Sequence, residues 1–217
     1  MPSLRQALQQ TTTTFETPFL HCLIEQPLTE TMLAEVCGTF IADVPRVYDG
    51  TRAGDAQGTA RNANTRCFIT RDNAEQFPGL SELVDDLLSR ETIECVEHLL
   101  RRTMDDCCLR IEVICDRRGF WLEPHKDIKE KRMSMLLYAN PFGESESLGT
   151  DLYDQDLKLV KTMPYRHNVG YMFAPAHDTW HGLEKNELRR ERRTLLINYV
   201  TFDTCWKLPP RRARRAA

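Results

Sequence analysis

Near residue 108 the hydrophobic pattern of this chain changes period, and no other feature restricts its fold as much. Upstream, three stretches carry apolar residues at helical spacing. In LTETMLAEVCGTF these are Met32, Leu33, Val36 and Phe40, with Thr29 placed to cap. PGLSELVDDLLSR and ETIECVEHLLRRTM read as two more helices, Ser81 being a plausible cap for the first. Downstream, CLRIEVICD, RMSMLLYAN, TDLYDQD, LKLVKTMP, VGYMFAPA and RRTLLINYV are short and rich in β-branched or aromatic residues. Turn signals such as DRRG, NPFGES and DLYDQD separate them. Short strands at regular spacing predict a sandwich or barrel. The absence of strand-to-helix alternation argues against a doubly wound sheet. The fold class expected is therefore mainly β with N-terminal helices, an α+β arrangement. Ahead of the first helix, TPFLHCLIEQPL is an extended apolar stretch. Residues 45–66, rich in Gly, Asp, Arg and Asn, read as a long irregular loop of the kind that covers functional sites.

A length of 217 residues suits one domain, 1–217, with helical support and a lid loop over 1–107, a β core over 108–202 and a basic tail over 203–217. The formal net charge of -3 gives the whole molecule no electrostatic reason to bind nucleic acid or an anionic membrane. No apolar run approaches a membrane span, and MPSLRQALQQTTTT lacks the apolar stretch of a signal peptide, so the expected location is cytoplasmic. The eight cysteines are scattered without any CxxC, and they read as small core residues, not as a disulfide framework or a thiolate zinc site. PPRRARRAA reads as a solvated tail, with a local anion-binding patch as the sharper alternative.

Chemistry concentrates in three segments. In LEPHKDIKEKRMSMLLYAN, His125 and Asp127 are two apart, so in an extended segment an imidazole and a carboxylate point the same way. NVGYMFAPAHDTWHGL, some fifty residues on, supplies His177 and His181. One further imidazole completes two histidines and one carboxylate, the set that holds one face of an octahedral metal in non-haem Fe(II) oxygenases. Zinc is the rival metal, but structural zinc generally takes four protein ligands, and no credible fourth stands here. His177 lies four before His181, which would suit a helix, but a proline-led turn between strands favours His181. His21, His98 and His167 read as structural or exposed. RRERRTLLINYV places a cation on a buried strand, where it needs an anion. A guanidinium fork matches a carboxylate, and Arg192 with Thr194 at i+2 would share one face. Arg193 points the opposite way on the same strand and competes for the role. A solvated charge run is the plain alternative for both. Trp121 and Trp180 flank the ligand segments, as pocket walls or core aromatics.

The order H-x-D, a distal His in W-H-G, then R-x-T-L on the last long strand resembles the 2-oxoglutarate/Fe(II)-dependent dioxygenase superfamily, and within it the prolyl-4-hydroxylase-like branch. The resemblance spans much of the chain, from TPFLHCLIEQPLTETMLAEV through LEPHKD, MLLYAN and VGYMFAPAHDTWHGL to RRTLLINYV. It implies a double-stranded β-helix, the jelly-roll or cupin-like core, braced by the N-terminal helices. It also implies His125, Asp127 and His181 as iron ligands, and Arg192 as partner of the distal carboxylate of 2-oxoglutarate, with Thr194 beside it. Tyr138 is implied as a further cosubstrate hydrogen-bond partner. Fe(II) would be the cofactor, 2-oxoglutarate and O2 the cosubstrates, and an unidentified primary substrate the molecule oxidised. CDRRGFWLEPH lacks a tyrosine often found ahead of H-x-D, and SLGTDLYD has one glycine where two are common; both bear on the pocket rather than on the iron site. A metal-binding jelly roll that does not use 2-oxoglutarate, or a non-catalytic module on the same scaffold, are the competing readings.

Overall fold

The computed structural model describes residues 3–42, 50 and 66–211. Most of the loop expected over 45–66, including Arg52 and Arg61, lies outside the described residues, as does the end of the basic tail from residue 212. Helix α1 (Leu4–Gln10) is one element that the sequence reading does not anticipate. Its apolar period covers only Leu4, Ala7 and Leu8, and it starts on a capping box in which Ser3 and Gln6 bond each other's backbone N–H. Strands β1 (Thr12–Phe15) and β2 (His21–Glu25) follow as a hairpin. Helix α2 (Glu30–Gly38) has Thr29 as its N-cap, as expected, but it ends before Phe40, which is exposed instead of completing the apolar stripe.

After strand β3 (Arg66–Phe68) come helices α3 (Pro78–Leu88) and α4 (Arg90–Leu100). Ser81 does not cap α3. It lies inside the helix and donates its hydroxyl hydrogen to Ala74 O at 2.9 Å. The orphan N–H groups of Gly79 and Leu80 are met instead by the Glu35 carboxylate of α2, at 2.7 and 2.8 Å. A cap supplied by another helix has no local sequence signature. The next cap is Ser89, whose side chain accepts from Thr92 N at the start of α4.

The β half comprises β4 (Cys108–Arg117), β5 (Leu122–His125), β6 (Lys131–Ala139), β7 (Asp151–Tyr153), β8 (Leu159–Thr162), β9 (Val169–Phe173), β10 (His181–Leu183), β11 (Glu191–Val200) and β12 (Trp206–Lys207). Every pairing among the described strands is antiparallel. The larger sheet runs β1-β2-β9-β6-β11-β4-β12, with β3 also on β4, and the smaller runs β5-β10-β7-β8. Together they form the jelly roll. DRRG is not wholly a turn: β4 continues through Asp116 and Arg117, and the chain reverses at Gly119, whose φ of 87° suits glycine.

Period-2 alternation gives the large sheet two different faces. Val113 and Cys115 of β4, Met135 and Leu137 of β6, and Leu195 and Ile197 of β11 pack with the helices in the principal core. The other face carries Glu112, Asp116, Ser134, Arg192 and Thr194, all buried, and a second cluster, centred on Tyr138, Tyr165, Tyr171 and Phe173, fills the space beside them. Leu137 is fully buried in the principal core. Leu137→Ala is expected to lower unfolding free energy by about 2–5 kcal/mol, measured by urea denaturation, without altering the residues of the opposite face.

Candidate metal centre

His125 closes β5, and Asp127 stands two residues past its end, where the chain has left the strand. His181 opens β10 and is the register partner of His125 across that pair. The two strands thus bring the imidazoles together, with ring centroids 4.4 Å apart. One ligand atom from each of His125, Asp127 and His181 lies within 4.8 Å of the others. Each imidazole places Nδ1 against a backbone carbonyl, His125 on Glu123 O at 2.9 Å and His181 on Thr179 O at 3.0 Å. With Nδ1 as the N–H donor, both Nε2 lone pairs are left for a metal. A donor set of two imidazoles and one carboxylate fits Fe(II). His177, the competing ligand, is exposed and outside this cluster. His98 and His167 are also exposed, while His21 is buried against Phe19 O.

Asp127 is held from both sides, its Oδ1 accepting from Lys131 Nζ at 2.5 Å and its Oδ2 from Ser134 Oγ at 2.6 Å. Burial opposes its charge, but the Lys131 ammonium, His181 and these hydrogen bonds outweigh that and hold the carboxyl well below the usual carboxylate range. Burial pushes the His181 imidazole down. Burial and, next, the neighbouring His181 push His125 down to about 4. All three groups therefore stand in their metal-binding protonation states at neutral pH.

The cluster opens into a cavity of about 340 Å³. Ile114, Phe120, Leu122, Leu136, Leu183 and Leu196 make its walls apolar, and Arg192 and Thr194 lie along its lining. Arg192 is 4% exposed, and the plain reading of a solvated charge run does not hold for it. Burial disfavours its charge, yet Asp116 and the tyrosines Tyr138 and Tyr165 more than compensate and raise its pKa. Its Nε donates to Leu148 O at 2.7 Å, Nη1 to Asp116 Oδ2 at 2.7 Å and Nη2 to Thr150 Oγ1 at 3.5 Å. Arg193 faces the helices, bonded to Glu191 and to the carbonyls of Val36 and Thr39. Thr194 Oγ1 is buried with no hydrogen-bond partner, a polar atom left over at the cavity wall. Tyr138 does not line the cavity; its hydroxyl bonds Thr150 Oγ1 at 2.9 Å and accepts from Thr150 N at 3.0 Å. Neither Trp121 nor Trp180 lines it, and each instead lies beneath a lysine ammonium, those of Lys185 and Lys126.

Among solved structures the chain is similar to prolyl 4-hydroxylases from Phytophthora capsici (12% identity, TM-score 0.56, covering 90% of this chain and 62% of that one). It is similar to a Pseudomonas putida prolyl-4-hydroxylase (12% identity, TM-score 0.57, covering 92% and 100%). It is also similar to a Trichoplax adhaerens prolyl hydroxylase solved with a hypoxia inducible factor oxygen degradation domain peptide fragment (18% identity, TM-score 0.56, covering 91% and 89%). The fold is that of the prolyl 4-hydroxylases. The chain spans less than two thirds of the Phytophthora protein. No protein-family model and no curated protein matches the sequence.

On this prolyl-hydroxylase fold, four polar residues complete the site that the sequence reading does not single out: Asp116, Lys131, Ser134 and Thr150. For Asp116 a signal existed in principle, since the buried Arg192 needs an anion, but only the β11–β4 register identifies which one. Gly149, the one glycine of SLGTDLYD, is required sterically, because a Cβ there would come 1.5 Å from Met163 O. Arg66, expected as a loop residue, begins β3 and lines the cavity, where its Nη1 donates to Glu112 at 2.8 Å; the same carboxylate accepts from Arg110 at 2.9 Å.

Two predictions follow from this chemistry. His125 titrates near 6.5 when unfolded and about 4 when folded. The unfolded state therefore binds the proton first. Stability of the metal-free protein should be full above pH 6.5 and fall by up to about 3 kcal/mol as pH drops toward 4. Denaturant titrations at several pH values measure this, and His125→Gln should flatten the dependence. Gly149→Ala should cost at least about 2 kcal/mol, read as a lowered Tm, because the obstructing atom is backbone and cannot step aside.

Proposed function

We propose that this chain is an Fe(II)- and 2-oxoglutarate-dependent oxygenase that hydroxylates a C–H bond of its primary substrate. The observation carrying this reading is the convergence of His125, Asp127 and His181 at the end of a cavity lined by a buried guanidinium. In this reading the two Nε2 atoms and the Asp127 carboxylate hold Fe(II) on one face. When bound, iron with 2-oxoglutarate and O2 supplies the oxidant, with conversion of the cosubstrates to succinate and CO2.

The chain's own part is to position and to exclude water. The carbonyls of Glu123 and Thr179 fix the tautomer and angle of the two imidazoles. Ser134 and Lys131 fix the carboxylate, which fills a coordination position that a halogenase-like relative leaves for halide. Arg192 and Thr194 receive the far end of the cosubstrate, and the orphan Thr194 hydroxyl gains a partner when they do. Tyr138 acts behind them, setting Thr150 rather than touching the cosubstrate. The apolar wall keeps bulk water from the reacting centre. The prolyl hydroxylases it resembles include one solved with a peptide, and a peptide or protein segment is the first substrate class to screen.

Anaerobic Fe(II) titration with 2-oxoglutarate should develop a visible charge-transfer band, and succinate should form in air with a substrate. His125→Ala is expected to weaken Fe(II) binding at least about 100-fold. Arg192→Ala should abolish cosubstrate binding and also lower stability by about 3–5 kcal/mol, because one partner of a buried ion pair is removed. Pairing Arg192→Met with Asp116→Asn should restore stability but not binding. Full activity without 2-oxoglutarate would favour the cupin-like alternative.

A further inference from the structure

Far from Arg192, the cavity has another guanidinium that the reading so far does not use. Arg110 lines it from β4, on the same face of the sheet as Glu112 and Asp116. Asp116, the register partner of Arg192, is six residues further along that strand, so about 20 Å of strand separates the two rows. Arg110 is instead the register partner of Asn198, which pairs in turn with Ser134 of β6. Ser134 holds Asp127, so Arg110 and the candidate metal ligands share one row of the sheet, with backbones about 10 Å apart. The fold leaves most donors of Arg110 uncommitted. Among the described residues its hydrogen bond is from Nη2 to Glu112 Oε1 at 2.9 Å, and Glu112 turns its other oxygen to Arg66. The Arg110 Nε is buried with no partner. The Phe68 ring, 5.2 Å from the guanidinium carbon, covers a face of the planar fork and leaves its N–H edges for hydrogen bonds. Lys126 and Glu123, both exposed, add opposite charges to the lining.

We propose that the primary substrate carries a carboxylate and that Arg110 receives it. This rests on the oxygenase reading above and concerns the primary substrate, not the iron or the cosubstrate. A carboxylate presents two acceptor oxygens to the guanidinium fork, and a site with apolar walls makes that charge-assisted bond stronger than it is in water. A neutral amide in the same place gains only ordinary hydrogen bonds. The row of register partners limits what lies between. With about 10 Å between the backbones of Arg110 and Ser134, only a few bonds separate the carboxylate from the carbon presented to the metal. Ile114, Leu122 and Leu196 on the cavity wall favour an apolar middle. The carboxylate can belong to an acidic side chain of a peptide or to a small free acid, and both bring the same chemistry to Arg110.

The test is calorimetric titration of the Fe(II)-loaded protein without O2, with saturating 2-oxoglutarate to fill the Arg192 end. Two acid–amide pairs are compared. Acetyl-Pro-Glu-amide against acetyl-Pro-Gln-amide represents the peptide source, and hexanoate against hexanamide the small acid. In at least one pair the acid should bind at least about tenfold more tightly than its amide. A preference in the peptide pair alone assigns the carboxylate to a peptide, and one in hexanoate alone assigns it to a small acid. Arg110→Gln should reduce the preference to less than about threefold, and Arg110→Lys, which keeps the charge but loses the fork, should retain only part of it. Acids that bind no better than their amides, or four probes that all fail to bind, overturn the inference. So does a preference undiminished in Arg110→Gln, or in Arg110→Lys if the glutamine variant does not fold. The charge-transfer band that 2-oxoglutarate produces separates the two readings. With the band present, each of these failures leaves the oxygenase reading intact. Without it, the oxygenase reading falls, and with it the role of Arg110 in holding a substrate.

Discussion

Strand β11 lies between β4 and β6, and its register decides which face of the large sheet carries charge. Alternation sends Arg193, Leu195 and Ile197 toward the helices and Arg192 and Thr194 into the space between the sheets. A slip of one residue would exchange the two sets and put the wrong guanidinium in the cavity. The helices secure the register from the far side, because Arg193 is bonded to the carbonyls of Val36 and Thr39 near the end of α2. The helical layer is thus more than a cover for the apolar face. It fixes the side of β11 on which Arg192 stands.

The smaller sheet supplies the complementary half. β5 and β10 pair so that His125 and His181 are opposite each other, and the loop beyond β5 returns Asp127 to the same point. Lys131 and Ser134 on β6 then hold the carboxylate, which ties the ligand loop back to the larger sheet. The cavity is therefore bounded by both sheets, with imidazoles from one and a guanidinium from the other. Two ion pairs lie along this boundary, Asp127 with Lys131 and Arg192 with Asp116.

The sequence reading fared best where chemistry and period coincide. H-x-D and W-H-G name residues that converge, and the preference for His181 over His177 needs only a proline-led turn to be read as non-helical. It fared worst where a partner lies far along the chain. Glu35 caps α3 from another helix, so Ser81 attracted a role that the structure gives to a carboxylate 46 residues earlier. Asp116 sits within DRRG, a tetrapeptide whose composition signals a turn, although its pairing with β11 extends the strand through it. Local composition cannot reveal that extension, because the hydrogen bonds that hold it come from β11.

By itself, the sequence determined the helices ahead of residue 108 and the short strands after it, the two histidines and one carboxylate that converge, and the strand bearing a buried cation, but not that β1 and β3, ahead of residue 108, join the same large sheet. These follow from side-chain chemistry and from periods of 3.6 and 2, which are local properties. Tertiary structure decided which guanidinium faces the cavity, that it is already paired with Asp116, and that Tyr138 stands behind the cavity wall, bonded to Thr150 and packed beneath Arg192. Each of these depends on strand register, which is fixed by packing across the whole sheet and leaves no mark within any single segment.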